Sequence, residues 1–576
     1  MLHAKWQGQL RVALPLLAPL VVVAFSGYAV ADALRKLTYA ILGRDQGIFQ
    51  YVAWALAHGS RDYVDLHEIN GPLGPLIHMA IMALGGADEH VFRTVDVVAS
   101  SVVFLAVGAS LPGLTATADC APPRPVSRAA WALATWCALG AQYVVFGWWD
   151  TSQRESFYDL FLLASLAAQL QASRPWGGKR GRTWWWTAAG LASVLTWFGK
   201  PTCGLFTVLQ VAVTWFDRRD PTPRRRRLAA LSAGGAVAAA LMLGFIAVDG
   251  SLPGFVRIVL LESPRLYTPI WAKSIAECYS AWNNAPKLNY ALVTAAGVAV
   301  LALTRRLPVR FYVTATLLFG GLAVFFLQKK AFPYHLHPAT AGTRLVWIAA
   351  LVAAVEEMQD AKRRWLRVVP VGVAILVGWQ CFEDASLSPY AKSDWDVAGA
   401  TAAERSSEAF VRRFPWDDFF AWDLRRAATF LDATTGPADT VQLYGMDPYV
   451  LFLARRVSAT PYVYSFELNV DASLTGGSGG HPDADARRWI RATAAAHAAE
   501  MQAALERRLP AAFVIVDHIP FTYPADSEID LAEHCPVTYA WMVAHYRRAA
   551  RFGGVRVWLR NDLHDRAAAA GSLPQP

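Results

Sequence analysis

Charged side chains are scarce in this sequence. Asp, Glu, Lys and Arg make up 17% of its 576 residues, against about a quarter in an ordinary soluble domain. Hydrophobic types reach 55%, and the mean hydropathy is positive. This balance excludes an ordinary soluble protein and points to a chain that crosses a membrane repeatedly. Cysteine is sparse as well: Cys120, Cys137, Cys203, Cys278, Cys381 and Cys535 show no metal-type spacing. Cys278, Cys381 and Cys535 fall in or near segments expected outside the membrane, where a disulfide is permitted but not indicated. No phosphate loop is present, because the run GGSGG at 476–480 lacks the strand, helix and Lys-Ser/Thr setting of a nucleotide site. The net charge of +9 belongs to short basic loops rather than to any nucleic-acid module, so nucleic acid is excluded as a partner.

What the chain has in quantity is apolar runs. The first, about 12–31, follows Lys5 and Arg11 and is longer than a signal-peptide core, with no clear cleavage site before ADALRKL. It is expected to be a signal anchor and first transmembrane helix. Ten further candidates lie near 95–116, 129–147, 156–173, 184–198, 202–216, 228–248, 288–304, 311–327, 333–353 and 368–382. Charge gives an independent check, since Lys and Arg collect in short cytoplasmic loops. With the N-terminus inside, every inner loop is basic: Arg124 with Arg128, then 174–182, 217–227, 305–310 and 362–367. An odd count of about eleven spans then leaves everything after about Glu383 outside.

From 385 to 576 the texture turns soluble. VQLYG, YVYSFEL, AAFVIVD and VRVWL read as strands, 483–508 as a helix, and 474–483 as a flexible loop. The expected architecture is a polytopic α-helical membrane domain, 1–384, including a first external loop at 34–94, followed by a C-terminal α/β domain, 385–576.

Polar residues gather in the outward segments. Two short apolar helices, expected near 46–59 and 74–86, frame Asp45, Asp65, His67, Glu68 and Asn70. The turn WWDTSQRE supplies Gln153, Arg154 and Glu155, the turn GKPT supplies Lys200, and QKKAFPYH supplies Gln328, Lys330, Tyr334 and His335. Each has a plain reading: Asp45 as a helix cap, Arg154 with Glu155 as a local pair, Lys200 as an interfacial lysine. Ionised groups near hydrocarbon are costly unless paired or facing water, so together they mark either an anchoring network or a polar cavity. In a cavity, a carboxylate could take the proton of an attacking hydroxyl while cations steady a departing lipid phosphate.

The stretch RDQGIFQYVAWALAHGSRDYVDLHEINGPLGPLIH, with SQRESF, FGKP and QKKAFPYHLHPA, resembles the GT-C superfamily of membrane glycosyltransferases, specifically the glycosyltransferase 39 and ArnT-like group. The resemblance covers about 1–355. The acidic pair that opens this loop in the family stands here as Asp45 and Gln46, and the acid before paired prolines is matched loosely by Asp65, Glu68, Asn70, Gly71 and Pro72. The resemblance implies a bacterial inner-membrane enzyme whose site and C-terminal domain face the periplasm. It implies inverting transfer from a polyprenyl-phosphate sugar to a glycan, lipid or protein hydroxyl. Asp45 would be the general base, with Glu68 and Asp65 orienting the acceptor or acting beside it. Arg154, Lys200, Lys330, Tyr334 and His335 would hold donor phosphate, and His67, Asn70, Gln153, Glu155 and Gln328 would make other substrate contacts. The loop 249–287, with Arg257, Glu262 and several aromatics, would cover the donor or bind acceptor sugar. Some relatives use a divalent metal and others none; Asp45, His67, Glu68 and His335 offer ligand atoms without a diagnostic spacing. Membrane lipids are implied partners. A transporter or flippase for a lipid-linked saccharide is the rival reading, since broken helices and polar groups also line translocation routes.

Overall fold

The computed structural model describes residues 2–116, 121–174, 176, 179–217, 220, 222–304, 307–358, 368–389 and 396–574. Cys120 and the basic loop 362–367 lie outside the described residues, as do parts of the basic loops 174–182, 217–227 and 305–310. Two compact units result: one from 1–40, 87–242 and 278–399, the other from 41–86, 243–277 and 400–576.

The first unit is helical. Among the described residues, six helical stretches are long and apolar enough to cross a membrane: Leu16–Leu37, Glu89–Ser110, Arg224–Val248, Ala285–Leu303, Val309–Gln328 and Pro333–Met358. Helices also occupy the other expected positions, at Pro125–Val144, Arg154–Ala172, Lys179–Leu195, Gly204–Phe216 and Val369–Leu387. The protein is a polytopic α-helical membrane protein. Helix ends carry local stop and start signals: the Asp88 carboxylate accepts from the His90 and Val91 amides, and Lys329, at φ 53°, ends Val309–Gln328 in a left-handed cap. Small residues let helices close on one another, as membrane interfaces require. A Cβ on Gly321 would lie 2.3 Å from the Ala339 amide nitrogen, so only glycine permits that crossing. Side-chain amides and hydroxyls pair within the bundle, Gln210 donating to Ser165 at 2.7 Å and Gln169 to Thr214 at 2.9 Å.

A buried polar knot fixes the turn 148–153. Arg93 donates to the Trp148 carbonyl at 2.8 Å and to Ser152 Oγ at 2.8 Å. Asp96 in turn accepts from Tyr143 at 2.6 Å and Ser152 at 2.7 Å. This knot sets where the helix Arg154–Ala172 begins.

The second unit joins the short helices Arg44–Ala57 and Leu73–Gly85, the segment 243–277 and the C-terminal residues. Its mixed sheet contains β1 (Thr440–Tyr444), β2 (Val457–Ser458), β3 (Ala512–Val516), β4 (Tyr546–Phe552) and β5 (Val555–Arg560), in the order β2-β1-β3-β5-β4. β1 runs parallel to β2 and β3, whereas β5 is antiparallel to β3 and β4. All five residues of β3 are buried, as a central strand requires.

One strand expectation is corrected, and two strands, β2 and β4, stand where none was expected. YVYSFEL contains the 3-10 turn Ser465–Glu467 instead of a strand. Its alternating rings are buried by packing on all sides, so their period of two reports burial without pairing. β4 was not expected, because Arg547, Arg548 and Arg551 break its apolar pattern; they point outward along the sheet edge, where charge blocks further pairing. The glycine run expected to be flexible is pinned, with the Gly479 amide donating to the Ala272 carbonyl at 2.8 Å. The five described cysteines are buried and form no disulfide among the described residues.

Candidate functional site

Glu155 is the centre of one cluster. It sits in the first turn of Arg154–Ala172 and accepts a charge-assisted hydrogen bond from Lys200, which lies in the break between Thr196–Phe198 and Pro201–Cys203. His335 Nε2 stands 3.4 Å from the same carboxylate oxygen, and Arg154 Nε 3.9 Å from the other. Lys200 also donates to Gln328 at 2.6 Å, at the end of Val309–Gln328. Three distant turns therefore meet on one buried carboxylate. Lys330 lies near His335, and burial pushes its ammonium down to about 7. Burial also lowers Lys200, although Glu155 works the other way. Tyr334 packs its ring on Phe332 at 5.6 Å and on His335 at 4.6 Å. Gln153 caps the helix and donates to the Trp149 carbonyl. With Arg154 and Lys200 on one carboxylate and Lys330 near His335, the cluster carries excess positive charge where helices end.

A second cluster forms around the first external loop. Asp45 lies half-buried in the first turn of Arg44–Ala57, whose start is fixed by Gln46 Oε1 accepting from the Gly43 amide at 2.9 Å. Gln46, standing where the resembled family has a second acid, is thus a helix cap. Beside it, Arg44 donates to Asp447 at 2.9 Å and Asp418 at 3.1 Å. Asp65 pairs with Arg61 at 3.1 Å on the surface. Glu68 is fully buried, accepting from the Asn70 amide at 2.8 Å and from the Tyr464 hydroxyl.

His67, Glu262 and His497 place one ligand atom each within 4.8 Å of one another. His67 Nδ1 meets the Glu467 carboxylate at 2.7 Å, and His497 Nδ1 meets the Glu467 carbonyl at 3.2 Å. Both imidazoles are thereby oriented with Nε2 toward Glu262, at 3.1 and 3.6 Å. Two imidazoles and one carboxylate, each histidine held from behind by an oxygen, form a donor set that fits a divalent ion of zinc type. Without an ion, burial would lower His67, but Glu467 and Glu262 outweigh it and raise the imidazole to about 9. Glu262 is held well below its ordinary value: burial opposes this, and His497 and His67 prevail.

The expected site residues therefore fall into two sets. Arg154, Glu155, Lys200, Gln328 and His335 come together in the helical unit, with Tyr334 edge-to-face with His335 and Gln153 at the helix cap. Asp45, Asp65, His67, Glu68 and Asn70 belong to the other unit. Within it, His67 turns to Glu262 and Glu467, Glu68 to Tyr464, and Asp65 to Arg61. Sequence reasoning passed over Arg44, Glu467 and His497. Arg44 was legible as the neighbour of Asp45, whereas His497 sits in an alanine-rich helix with nothing local to mark it.

Comparison of the sequence with family models and with curated proteins yields no match. Comparison of folds does. The fold is similar to that of ArnT from Cupriavidus metallidurans. Against ArnT bound to undecaprenyl phosphate the TM-score is 0.52 at 15% identity, covering 93% of this chain and 97% of that one. Against the apo state it is 0.50 at 14% identity, with the same coverage. The archaeal oligosaccharyltransferase AglB from Archaeoglobus fulgidus, in complex with an inhibitory peptide and a dolichol-phosphate, gives 0.42 at 12% identity over 88% of this chain and 69% of its own. The likeness to ArnT is one of fold, and it extends past residue 355 into the C-terminal domain.

Proposed function

We propose that the protein is an inverting, polyprenyl-phosphate-sugar-dependent glycosyltransferase of GT-C type, with about eleven spans, in a bacterial inner membrane. Its polar turns and C-terminal domain face the periplasm, and its acceptor is a glycan, lipid or protein hydroxyl. The observation that carries this reading is the group of Arg154, Lys200, Gln328 and His335 around the buried Glu155, with Lys330 near His335, in a fold similar to that of ArnT. Such a group fits the phosphate of a lipid carrier, because its cations exceed its carboxylates and are already desolvated.

In this reading the acceptor oxygen attacks the anomeric carbon as Asp45 takes its proton. The bond from that carbon to the phosphate oxygen breaks, and the electron pair leaves with the polyprenyl phosphate. Attack from the opposite face inverts the configuration. Arg154, Lys200 and Lys330 offset the charge that grows on the phosphate, while Tyr334 and His335 shape its pocket. Glu68 and Asp65 orient the acceptor. His67, Asn70, Gln153, Glu155 and Gln328 hold substrates or the groups that touch them.

The transporter reading needs a wet route between the helices. One cavity in the bundle, bordered by Ser165, Phe206, Gln210 and Thr316, measures about 10 Å³, room for at most one water. Two of its polar neighbours, Gln210 and Ser165, are hydrogen-bonded to each other, which suits helix cohesion better than passage.

Detergent-purified protein should release sugar from at least one member of a panel of polyprenyl-phosphate sugars and attach it to a glycan, lipid or peptide acceptor, read by mass spectrometry. Lys200→Ala should bind undecaprenyl phosphate about tenfold or more weakly, as expected for loss of one charge-assisted contact. Unchanged phosphate affinity in Lys200→Ala and Arg154→Ala would remove this assignment.

A further inference from the structure

The segment 411–423 of the C-terminal domain encloses a cleft of about 370 Å³. Small-molecule sites span about 300–1,000 Å³, so the size is that of a ligand site. Phe414, Trp416, Phe420 and Trp422 supply aromatic surface, and Arg412 and Asp423 add one charge of each sign. Trp416, one of the rings lining the cleft, is 41% exposed and so is accessible to a ligand.

The position of the cleft in the fold is informative. From β1 the chain passes first to β2 on one side and later to β3 on the other, so the connections diverge at β1. In open α/β sheets, ligands bind beyond the carboxyl ends of strands at such a point. The cleft segment is fastened to that edge. Phe420 packs on His518, just after β3, at 5.9 Å, and the adjoining Asp517 amide donates to the Gly554 carbonyl at 2.8 Å. From the loop after β1, Asp447 binds Arg44, which also holds Asp418 of the cleft segment. Arg44 is the residue before Asp45. The cleft is therefore tied to the helix turn that carries the proposed base.

We propose that this cleft is the saccharide subsite that seats a glycan acceptor. Flat indole faces match the C–H faces of a sugar ring, and a guanidinium with a carboxylate matches its hydroxyls as donor and acceptor. A lipid tail would strip water from the Arg412–Glu408 pair and from the Asp423 carboxylate, which is costly. A phosphate ligand would face Asp423 as well as Arg412. The acceptor role rests on the glycosyltransferase reading; saccharide binding does not.

The test uses the full chain in nanodiscs and saturation-transfer difference NMR. The probe is the water-soluble oligosaccharide fraction released by mild acid from the producing organism's envelope, with a mixed decapeptide as comparator. Sugar protons should saturate in the wild type. Binding should weaken about tenfold in Trp416→Ala and in Trp422→Ala, as loss of a stacking face predicts, and recover in part in Trp416→Phe. Undecaprenyl-phosphate binding should persist in each variant, reporting an intact fold. Saturation of the peptide alone, or sugar saturation unaltered in both alanine variants, overturns the proposal. Sugar saturation that depends on Trp416 in a protein with no transferase activity upholds the cleft and sinks the enzyme reading. Transfer to a glycan with the same acceptor KM in wild type and Trp416→Ala upholds the enzyme and sinks the cleft.

Discussion

The Arg44 guanidinium donates to the Asp447 carboxylate at 2.9 Å, with both side chains almost wholly withdrawn from water. Desolvating two charges is costly, and the cost is offset only while each has the other. Arg44→Ala strands Asp447 and should lower stability by about 3–5 kcal/mol. Arg44→Met combined with Asp447→Leu should recover much of that loss, because the buried Asp447 charge goes with its partner, and Asp418, which also loses Arg44, is 36% exposed to water. Thermal unfolding of the purified protein measures both. Equal melting of wild type and Arg44→Ala would show that the pair holds nothing.

The triad of His67, Glu262 and His497 leads to a metal prediction. An ion bound by the folded protein alone stabilises it by about 2.7 kcal/mol when present at a hundred times its dissociation constant. Zinc should raise the melting temperature and a chelator should lower it, with His67→Ala and His497→Ala insensitive to both. Elemental analysis by mass spectrometry should find about one equivalent of metal per chain in the wild type and little in the variants. Wild-type protein without bound metal, and indifferent to added zinc and chelator, refutes the site.

Much of this architecture is legible in the residues, and the failures have physical causes. Long apolar runs announce helices because hydrocarbon admits no unpaired backbone, so a helix was found at each expected span. The two short helices near Asp45 were legible from their apolar and aromatic spacing, the second also from the Pro72 and Pro75 breaks before it. The meeting of Glu155, Lys200 and His335 was only suspected, since local pattern carries no distance between turns 45 to 180 residues apart (155 to 200; 155 to 335). β2, with two residues, is too short to give any periodicity. Glu467 was hidden inside the aromatic pattern that was misread as a strand.

Lys330 makes the phosphate assignment sensitive to pH. Burial holds its ammonium near 7 against an ordinary 10.5. Between those values the unfolded chain binds the proton and the folded chain does not, so this residue adds stability as pH rises through that window and costs most below about 7. A phosphate nearby favours the charged form, so carrier binding takes up a proton above 7. Affinity for undecaprenyl phosphate should fall between pH 7 and pH 9. Lys330→Arg should flatten the profile at high affinity, since a guanidinium stays charged, and Lys330→Gln should flatten it at low affinity. Titration calorimetry across this range decides, and a slope that survives in Lys330→Gln assigns the proton elsewhere.

Asp45 allows a clean separation of chemistry from folding. The start of its helix is secured by Gln46 and Gly43, so the Asp45 carboxylate is not needed as the cap. Asp45→Asn keeps the shape and removes the basic oxygen. Loss of a general base costs about 10²–10⁴ in rate, so single-turnover transfer should drop by that factor while undecaprenyl-phosphate affinity and melting temperature stay near wild type. Gln46→Ala should do the reverse, loosening the helix start and lowering the melting temperature with a smaller effect on transfer. The cap and the base are adjacent in sequence and separable in effect. If Asp45→Asn turns over at the wild-type rate, proton removal belongs to another group, and Glu68 or Asp65 becomes the residue to replace.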